Sequence, residues 1–283
     1  MKETRAEYLP IEKLRPFEGH PFKVTDNEEM EQLTWSILTQ GLLTPLVVRS
    51  LPNDEYEVIS GHRRLHACKK AGIETVPALI TDMDRDAAAI ALVDSNLHRE
   101  HILPSEKAYA YKLKLEAMNR QGQRTDLTST QVMSKLRANE IVGEAGGDSR
   151  ETVRRYIRLT NLVPGILSMV DEGRIALTPA VELSYLTEVE QNDLLETMES
   201  EDCTPSLSQA IQLKQLSEAG KLDMDTIFGI LTQPKGNQRE KISFRTDEVR
   251  KFFPKDYTPA QMQAVILKLL DEYQRKRQRD LAR

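Results

Sequence analysis

Two arginines and a glycine stand where a strand-like segment of the sequence gives way to a helical one. The run is Ser60-Gly61-His62-Arg63-Arg64, and it follows the β-branched residues of 56–59. Backbone N–H groups at a helix start, the helix dipole and two guanidinium groups all favour an anion such as phosphate, and glycine lets the backbone approach it closely. The run therefore predicts a phosphate-binding turn, although arginines at a helix start are also typical of surface ion pairs.

Residues 139–158 have the spacing of a helix-turn-helix. Gly143 falls at the fifth position, where the crossing of the two helices requires a small residue, and Gly147 falls at the ninth, in the sharp turn where glycine is easiest. Asp148, with a glutamate three residues later, resembles the start of a capping box. This pattern predicts that the second helix begins at Ser149.

The second helix of this window would present arginines on its outer face. Val153, Tyr156 and Ile157 would face inward. Four arginines on one short helix are an unusual use of charge in a protein whose net charge is −5, and they could meet the major groove of DNA or its phosphates. An ordinary three-helix bundle with a basic solvated face is the alternative. The predicted DNA-binding residues are Ser149, Arg150, Thr152, Arg154, Arg155 and Arg158.

Alternating strand-like and helical segments must position the phosphate-binding turn. Asp26 is a suitable N-cap for a helix that Gly41 ends. Apolar, β-branched runs at residues 46–48 and 56–59, separated by turn-forming residues, predict a hairpin. A helix over residues 61–71, a strand over 76–80 and a helix over 84–96 complete the predicted N-terminal part.

Beyond residue 103 the pattern is helical. Pro104 suits the first turn of a helix that runs to about Arg120, and the polar residues 121–126 are predicted to break it. The last helix, over residues 259–278, carries an apolar stripe of Met262, Val265, Ile266, Leu269 and Tyr273, which an isolated tail cannot bury. We expect a homodimer through this stripe, with folding back onto the same chain as the alternative. The predicted domains are residues 1–103, 104–232 and 242–283, after a linker at 233–240.

The composition is that of an ordinary globular protein, with 39% hydrophobic and 29% charged residues in 283. No run approaches the roughly 18 consecutive apolar residues of a membrane span, and residues 1–10 lack the apolar core of a signal peptide. We therefore expect a cytoplasmic protein with no membrane partner. Cys68 and Cys203 lie far apart, without other ligands at metal-binding spacing, so neither a disulfide framework nor a zinc site is predicted.

Three motifs, GLLTPLVVR at residues 41–49, GHRRLHA at 61–67 and NLHRE at 96–100, precede the helix-turn-helix window in that order. Together they resemble motifs of the ParB family of partition and nucleoid-occlusion proteins, and the similarity covers about residues 8–190. Residues 41–49 (GLLTPLVVR) resemble the family's first nucleotide-contact segment, and residues 61–67 (GHRRLHA) resemble its arginine-rich box. Residues 96–100 (NLHRE), followed by 103–108 (LPSEKA), resemble its third motif. The helix-turn-helix window follows at the distance found in the family.

The resemblance implies a fold and a ligand. The fold is an α+β N-terminal domain of the ParB and sulfiredoxin-like type, then an all-α helix-turn-helix domain and a short, mostly helical C-terminal unit. The function is that of a CTP-dependent clamp on double-stranded DNA, with Mg²⁺ bound near Asn96 or Glu100. The nucleotide-binding residues that the resemblance implies are Gly41, Thr44, Pro45, Gly61, His62, Arg63, Arg64, Asn96, Arg99 and Glu100.

Two positions depart from the family's pattern. His62 stands where the arginine-rich box usually has a glutamate, and Ser95 stands where the third motif usually has one. Without a carboxylate to orient the attacking water, we expect CTP to be bound but hydrolysed to CDP and phosphate slowly or not at all. The N-terminal arm of residues 1–7 is short, which leaves a ParA-type ATPase partner open.

Other functions are consistent with parts of the same sequence. A ParB-like nuclease needs a carboxylate cluster or a metal-supported histidine, and no carboxylate set at recognisable spacing accompanies the histidines. Sulfiredoxin chemistry needs a cysteine in the glycine turn, whereas Cys68 lies more than a helical turn later. A transcription regulator or a mobile-element accessory protein would use the same DNA-binding parts, and the sequence does not separate these roles from chromosome or plasmid partition.

Overall fold

The computed structural model describes residues 4–99, 101–125, 142–143, 146–233, 250–254 and 257–281. The chain divides into two compact units, Met1–Gln233 and Pro234–Arg283. Within the first unit, a sheet flanked by helices is followed by a portion in which every described element is a helix. The fold class that the sequence predicts, α+β followed by α, is therefore confirmed.

Five strands form one mixed sheet in the order β1-β5-β3-β4-β2. The strands are β1 (Thr4–Pro10), β2 (Leu14–Pro16), β3 (Leu46–Ser50), β4 (Tyr56–Ser60) and β5 (Thr75–Thr81). The β3–β4 pair is antiparallel, which confirms the predicted hairpin, and its turn contains Asn53 at a φ of 68°. The sequence did not predict β1 and β2, which pair with β5 and β4 across long stretches of chain.

Three helices pack with this sheet, namely α1 (Glu28–Gln40), α2 (His62–Lys70) and α3 (Arg85–Asp94). The predicted cap of α1 is wrong by one residue: Asn27 Oδ1 accepts the Met30 N–H at 3.1 Å. Asp26 instead accepts hydrogen bonds from His66 and Lys70 on α2. These contacts hold α1 beside α2, so the two helices that border the phosphate-binding turn are tied together.

Apolar side chains on the sheet and on α1 and α2 form the first core. Leu46, Val48 and Val58 from the hairpin are completely buried, as is Met30 of α1. A second core joins Ile59 at the end of β4 to α3 and to the next helix. The strand-to-helix turn at residue 61 therefore lies between two packed cores, which fix its position.

Helix α4 (Pro104–Thr125) opens the helical portion. It begins at the predicted proline but continues through Thr125, so the break predicted at residues 121–126 is wrong for residues 121–125. Glutamine and arginine in this segment have good helix propensity, and the segment contains no proline. Two ion pairs join α4 to α3: Lys114 to Asp94 at 2.5 Å and Arg120 to Asp86 at 2.8 Å.

Six further helices in the described part of the first unit pack around one apolar core. They are α5 (Arg150–Arg158), α6 (Pro164–Asp171), α7 (Leu177–Leu183), α8 (Glu188–Ser200), α9 (Leu207–Glu218) and α10 (Met224–Leu231). Buried Ile166, Leu183 and Leu194 are typical of this core, which α4 also joins through Ala108. The core gives α5 a rigid platform.

The described part of the second unit ends in one long helix, α11 (Pro259–Leu281). Met262 is buried, whereas Leu269 and Tyr273 of the predicted stripe are more than half exposed. The linker predicted at residues 233–240 lies outside the described residues except for Gln233. No helix in the part of the chain that the structure describes is long and apolar enough to cross a membrane.

Candidate functional site

The phosphate-binding turn follows directly from the end of β4. Gly61 has a φ of 105°, a left-handed conformation that L-residues rarely adopt, and it serves as the N-cap of α2. A Cβ atom at this position would lie 2.6 Å from Cδ2 of Leu46 and 3.1 Å from Nη2 of Arg64. No side chain caps α2, so the N–H groups of its first turn are the donors that an anion could use.

A cleft of about 430 Å³ opens at this turn. Its lining residues come from α1, from the β4–α2 turn and from the segment that follows α3, and they are Glu29, Leu33, Ser60, Gly61, His62, Arg63, Arg64, Ser95, Asn96 and Arg99. Two motifs that are more than 30 residues apart in the sequence therefore meet in one cavity. The structure brings together the predicted residues Gly61, His62, Arg63, Arg64, Asn96 and Arg99.

Arg64 holds the turn against the first predicted motif. Its Nη1 donates hydrogen bonds to the carbonyl oxygens of Thr44, at 2.5 Å, and Pro45, at 3.0 Å. Burial lowers the pKa of the Arg64 guanidinium from its usual value. Thr44 and Pro45 thus border the site through their backbone without lining the cleft, and Gly41, which ends α1, does not line it either.

Arg63 and Arg99 supply further positive charge to the cleft. Nη2 of Arg63 lies 2.8 Å from Oε2 of Glu29 on α1. The guanidinium of Arg99 lies over the ring of Phe22, 5.5 Å from its centroid. Desolvation, and next the nearby Arg63, lower the pKa of Arg99. The positive charges of Arg63 and Arg99 repel each other. A polyanion that binds between the two guanidinium groups would relieve this repulsion.

His62 is held as a neutral imidazole at the start of α2. Burial lowers its pKa to about 3, with smaller contributions from His20 and Arg99. The Phe17 N–H donates to Nε2 at 3.3 Å, which assigns the ring proton to Nδ1. The His20 ring lies alongside, with centroids 3.8 Å apart. His62 therefore adds shape and a polar edge to the cleft rather than charge.

Asn96 is buried and fixed in orientation. Its Nδ2 donates to the Leu92 carbonyl oxygen at 2.7 Å and to Ser95 Oγ at 3.2 Å, which leaves Oδ1 as the atom that could ligate a cation. Glu100, the other predicted metal ligand, lies outside the described residues. Among the described residues, no group of three or more His, Cys, Asp or Glu side chains could hold a metal ion.

The turn of the predicted helix-turn-helix is partly described. Gly147 has a φ of 69°, and a Cβ on Gly143 would overlap the carbonyl oxygen of Asp148. The N–H groups of Gly146 and Asp148 both donate to the Gly143 carbonyl oxygen at 3.0 Å. Steric contact therefore requires glycine at residue 143, and the left-handed backbone favours glycine at residue 147. Residues 139–141 and 144–145 of the window lie outside the described residues.

The cap of α5 differs from the one predicted. Ser149, not Asp148, is the N-cap, and its Oγ accepts the Thr152 N–H at 3.2 Å. Asp148 instead accepts a hydrogen bond from the hydroxyl of buried Tyr111 and pairs with Lys107 at 2.6 Å. Both partners are on α4, so Asp148 fixes the start of α5 to the longest helix of the first unit.

The predicted DNA-contacting residues have different surroundings. Arg154 is 45% exposed and lies 3.8 Å from Glu151, one turn earlier. Arg155 donates to Thr178 Oγ1 at 2.5 Å. Arg158 donates to the hydroxyl and carbonyl oxygens of Ser184 and stacks on Tyr185 at 3.9 Å. The inward face is as predicted, with Val153 completely buried and Tyr156 and Ile157 packed on the core.

Glu29 and Leu33, which line the cleft from α1, were not among the predicted site residues. A glutamate in the first turn of a helix is expected there for its interaction with the helix dipole alone, so no sequence signal marked Glu29.

Comparison with known proteins identifies relatives. Residues 1–97 match the model of the ParB N-terminal domain. A probable chromosome-partitioning protein ParB of Pseudomonas putida is 31% identical over 217 residues, which cover 76% of this chain and 69% of that protein. A nucleoid occlusion protein of Bacillus anthracis is 31% identical over 235 residues, covering 77% of this chain and 75% of that protein.

A solved structure is also similar to this chain. It is the C-terminally truncated chromosome-partitioning protein ParB from Caulobacter crescentus complexed to the centromeric parS site. It is 22% identical, with a TM-score of 0.40, and the match covers 81% of this chain and 100% of that chain.

Proposed function

This chain belongs to the ParB family, and we propose that it is a sequence-specific DNA-binding protein that acts as a CTP-dependent clamp in chromosome or plasmid partition. The observation that carries the proposal is the cleft in which the glycine turn of α2 meets the segment after α3. In that cleft three arginines, a buried asparagine and the open start of a helix face one volume of about 430 Å³. Such a volume lies within the range of small-ligand sites.

The charge and donors of the cleft suit a triphosphate. Arg63 and Arg99 offer planar sets of N–H donors, which can engage phosphate oxygens in pairs. The first-turn N–H groups of α2 are placed at the positive end of the helix dipole. These groups recognise the phosphates but do not select a base. Because CTP is the nucleotide that the resemblance to the ParB family implies, we propose CTP as the ligand.

Magnesium would enter with the nucleotide. Mg²⁺ keeps an octahedral shell of oxygen ligands, and phosphate oxygens and water supply most of them in nucleotide sites. Asn96 fits this role through Oδ1, because its amide nitrogen is already engaged by Leu92 and Ser95. We propose Asn96 and Glu100 as the protein ligands, with Mg²⁺ neutralising charge between the phosphates.

We expect hydrolysis of CTP to be slow. His62 is neutral and accepts a backbone hydrogen bond, so its Nε2 lone pair is not available to take a proton from water. Ser95 supplies a hydroxyl that is already hydrogen bonded to the Leu92 carbonyl oxygen. Neither position offers the carboxylate that would orient an attacking water.

DNA recognition is assigned to the outer face of α5. Its start is fixed by the Asp148 contacts to α4 and its inner face by the core, so the helix can enter the major groove as a rigid unit. We propose Ser149, Arg150, Thr152, Arg154, Arg155 and Arg158 as the residues that meet DNA. Arg154, the most exposed of the arginines with described partners, is the best candidate for base contact.

A homodimer is proposed through α11. Leu269, Leu270 and Tyr273 are exposed on one side of this helix, and an apolar face of this kind in a family of clamps is best covered by a second copy. We propose three functional regions with the boundaries 1–103, 104–232 and 242–283.

A protein that encircles DNA would be found in the cytoplasm on the nucleoid or on a plasmid.

The experiment that tests this function is selection of DNA by the protein. The full-length protein is incubated with sheared genomic and plasmid DNA, with and without CTP and Mg²⁺, and the retained fragments are sequenced. We expect enrichment of one short motif. Its clustering near an origin or beside a plasmid partition locus supports partition, whereas sites scattered through the chromosome support nucleoid occlusion, the role of the Bacillus anthracis relative. Retention without any sequence motif contradicts the proposal.

A further inference from the structure

The cleft contains a carboxylate at the place where a phosphate is expected to bind. Glu29 is the only acidic side chain among the described residues that line it. Its Oε2 lies 2.8 Å from Nη2 of Arg63, which is hydrogen-bond distance with opposite charge. A carboxylate and a phosphate present similar oxygen pairs to a guanidinium group, so the two compete for the same donors.

We propose that Glu29 is an internal competitor of the nucleotide, an inference that rests on the proposed function. In the ligand-free protein the Glu29 carboxylate occupies Arg63. A triphosphate that enters the cleft displaces it, and Glu29 moves into solvent, where 70% of its side chain is already exposed. Arg63 is therefore held in place before the ligand arrives, and part of the binding free energy is spent on separating the pair.

The contacts around the pair support this assignment. Glu29 projects from the first turn of α1, and α1 is tied to α2 by Asp26 through His66 and Lys70. The distance between the two helices is thereby fixed, so the carboxylate remains within reach of Arg63 without further anchoring. No other hydrogen bond of Glu29 is found among the described residues.

The size of the effect follows from the exposure of the pair. Ion pairs between solvent-exposed side chains contribute little, and the competition corresponds to a change in affinity of about two- to five-fold. Removing the Glu29 charge also removes its repulsion of the triphosphate, which acts in the same direction. Salt screens both contributions, so the change is largest at low ionic strength.

Glu28 offers a matched control. It is the preceding residue, lies in the same first turn of α1 and is also exposed, but it does not line the cleft. Glu28→Gln and Glu29→Gln change the net charge and the helix-dipole interaction equally. Only Glu29→Gln removes the ion pair with Arg63, so the difference between the two variants reports the effect of a carboxylate inside the cleft, and replacement of Arg63 separates the competition from simple repulsion.

The test is calorimetric titration of the full-length wild type and both variants with CTP, and separately with inorganic tripolyphosphate, in Mg²⁺ and in EDTA. We expect Glu29→Gln to bind both probes about two- to five-fold more tightly than Glu28→Gln does, with or without Mg²⁺. In an Arg63→Gln background the advantage of Glu29→Gln should shrink to the part that comes from its repulsion of the phosphates, because the shared partner is gone.

Three results would overturn the inference while leaving the proposed function intact. They are CTP binding that is unchanged in Glu29→Gln, an equal gain in both variants, and weaker binding of Glu29→Gln in Mg²⁺ only, which would make Glu29 a metal ligand. Absence of binding of either probe to all three proteins would instead contradict the proposed function, and the inference with it.

Discussion

Substitution of Gly61 by alanine tests the geometry of the phosphate-binding turn. The φ of 105° costs an L-residue about 1–2 kcal/mol. The new Cβ would lie 2.6 Å from Cδ2 of Leu46, a completely buried side chain on β3, and overpacking of this kind costs about 1–3 kcal/mol. We therefore expect Gly61→Ala to lower the free energy of unfolding by about 2–5 kcal/mol and to abolish CTP binding, because the turn must shift.

Gly72→Ala is the matched control. Gly72 also has a left-handed conformation, with a φ of 69°, but nothing lies within 4 Å of a Cβ placed there. Urea denaturation should therefore show a loss of about 1–2 kcal/mol for Gly72→Ala, and this variant should retain CTP binding. Equal losses of stability in the two variants would refute the steric argument, and retention of wild-type CTP affinity by Gly61→Ala would refute the role of the turn.

Three further predictions concern DNA, pH and assembly. Arg154→Ala should weaken binding to the selected site by about 1–3 kcal/mol with little change in stability, whereas Arg158→Ala should also lower the melting temperature, because Arg158 is hydrogen bonded to Ser184; equal effects on stability would contradict this. The pKa of His62 is about 3 in the folded protein, so the unfolded chain takes up a proton first as pH falls below about 6.5. The contribution of neutral His62 to the free energy of unfolding is therefore complete above about pH 6.5 and declines towards pH 3. Urea denaturation should show that the free energy of unfolding falls less steeply with decreasing pH in His62→Gln than in the wild type. An unchanged dependence on pH would contradict the burial argument. Deletion of residues 242–283 should give a monomer by light scattering, and a mass that stays at twice that of one chain would place the interface elsewhere.

Local signals in the sequence predicted much of the N-terminal part. The hairpin followed from β-branched runs around a turn, and the position of Gly61 between a strand and a helix was predicted, although its left-handed conformation was not. β1 was missed because it is held by pairing with β5, about 70 residues later, and such pairing leaves no local pattern. Long-range pairing is therefore the main part of this fold that the sequence did not reveal.

The two errors in helix capping have one physical cause. Asp26 and Asn27 are neighbours, as are Asp148 and Ser149, and each of the four is a good N-cap residue. In both cases the aspartate binds basic or hydroxyl side chains on another helix, which leaves its neighbour to cap. Tertiary contacts decided between equivalent local choices.

The site itself was predicted in the same uneven way. The arginine-rich turn and the segment around Asn96 were recognised by their motifs, and the cleft contains both. Glu29 was not recognised, because its role depends on the distance between α1 and α2. The sequence left open whether the arginines at the start of α2 bind phosphate or form ordinary ion pairs. In the structure Arg63 forms such an ion pair, with Glu29, and the pair lies inside the cleft.

Titration of the full-length protein with CTP and Mg²⁺, in the presence of the DNA that it selects, tests the central claim most directly. We predict saturable binding of CTP in preference to ATP, GTP and UTP, sharp weakening in Arg63→Ala, and little phosphate release in the same samples. Absence of binding of any nucleoside triphosphate, with or without DNA, would contradict the account, and brisk DNA-stimulated phosphate release would contradict the prediction drawn from His62 and Ser95.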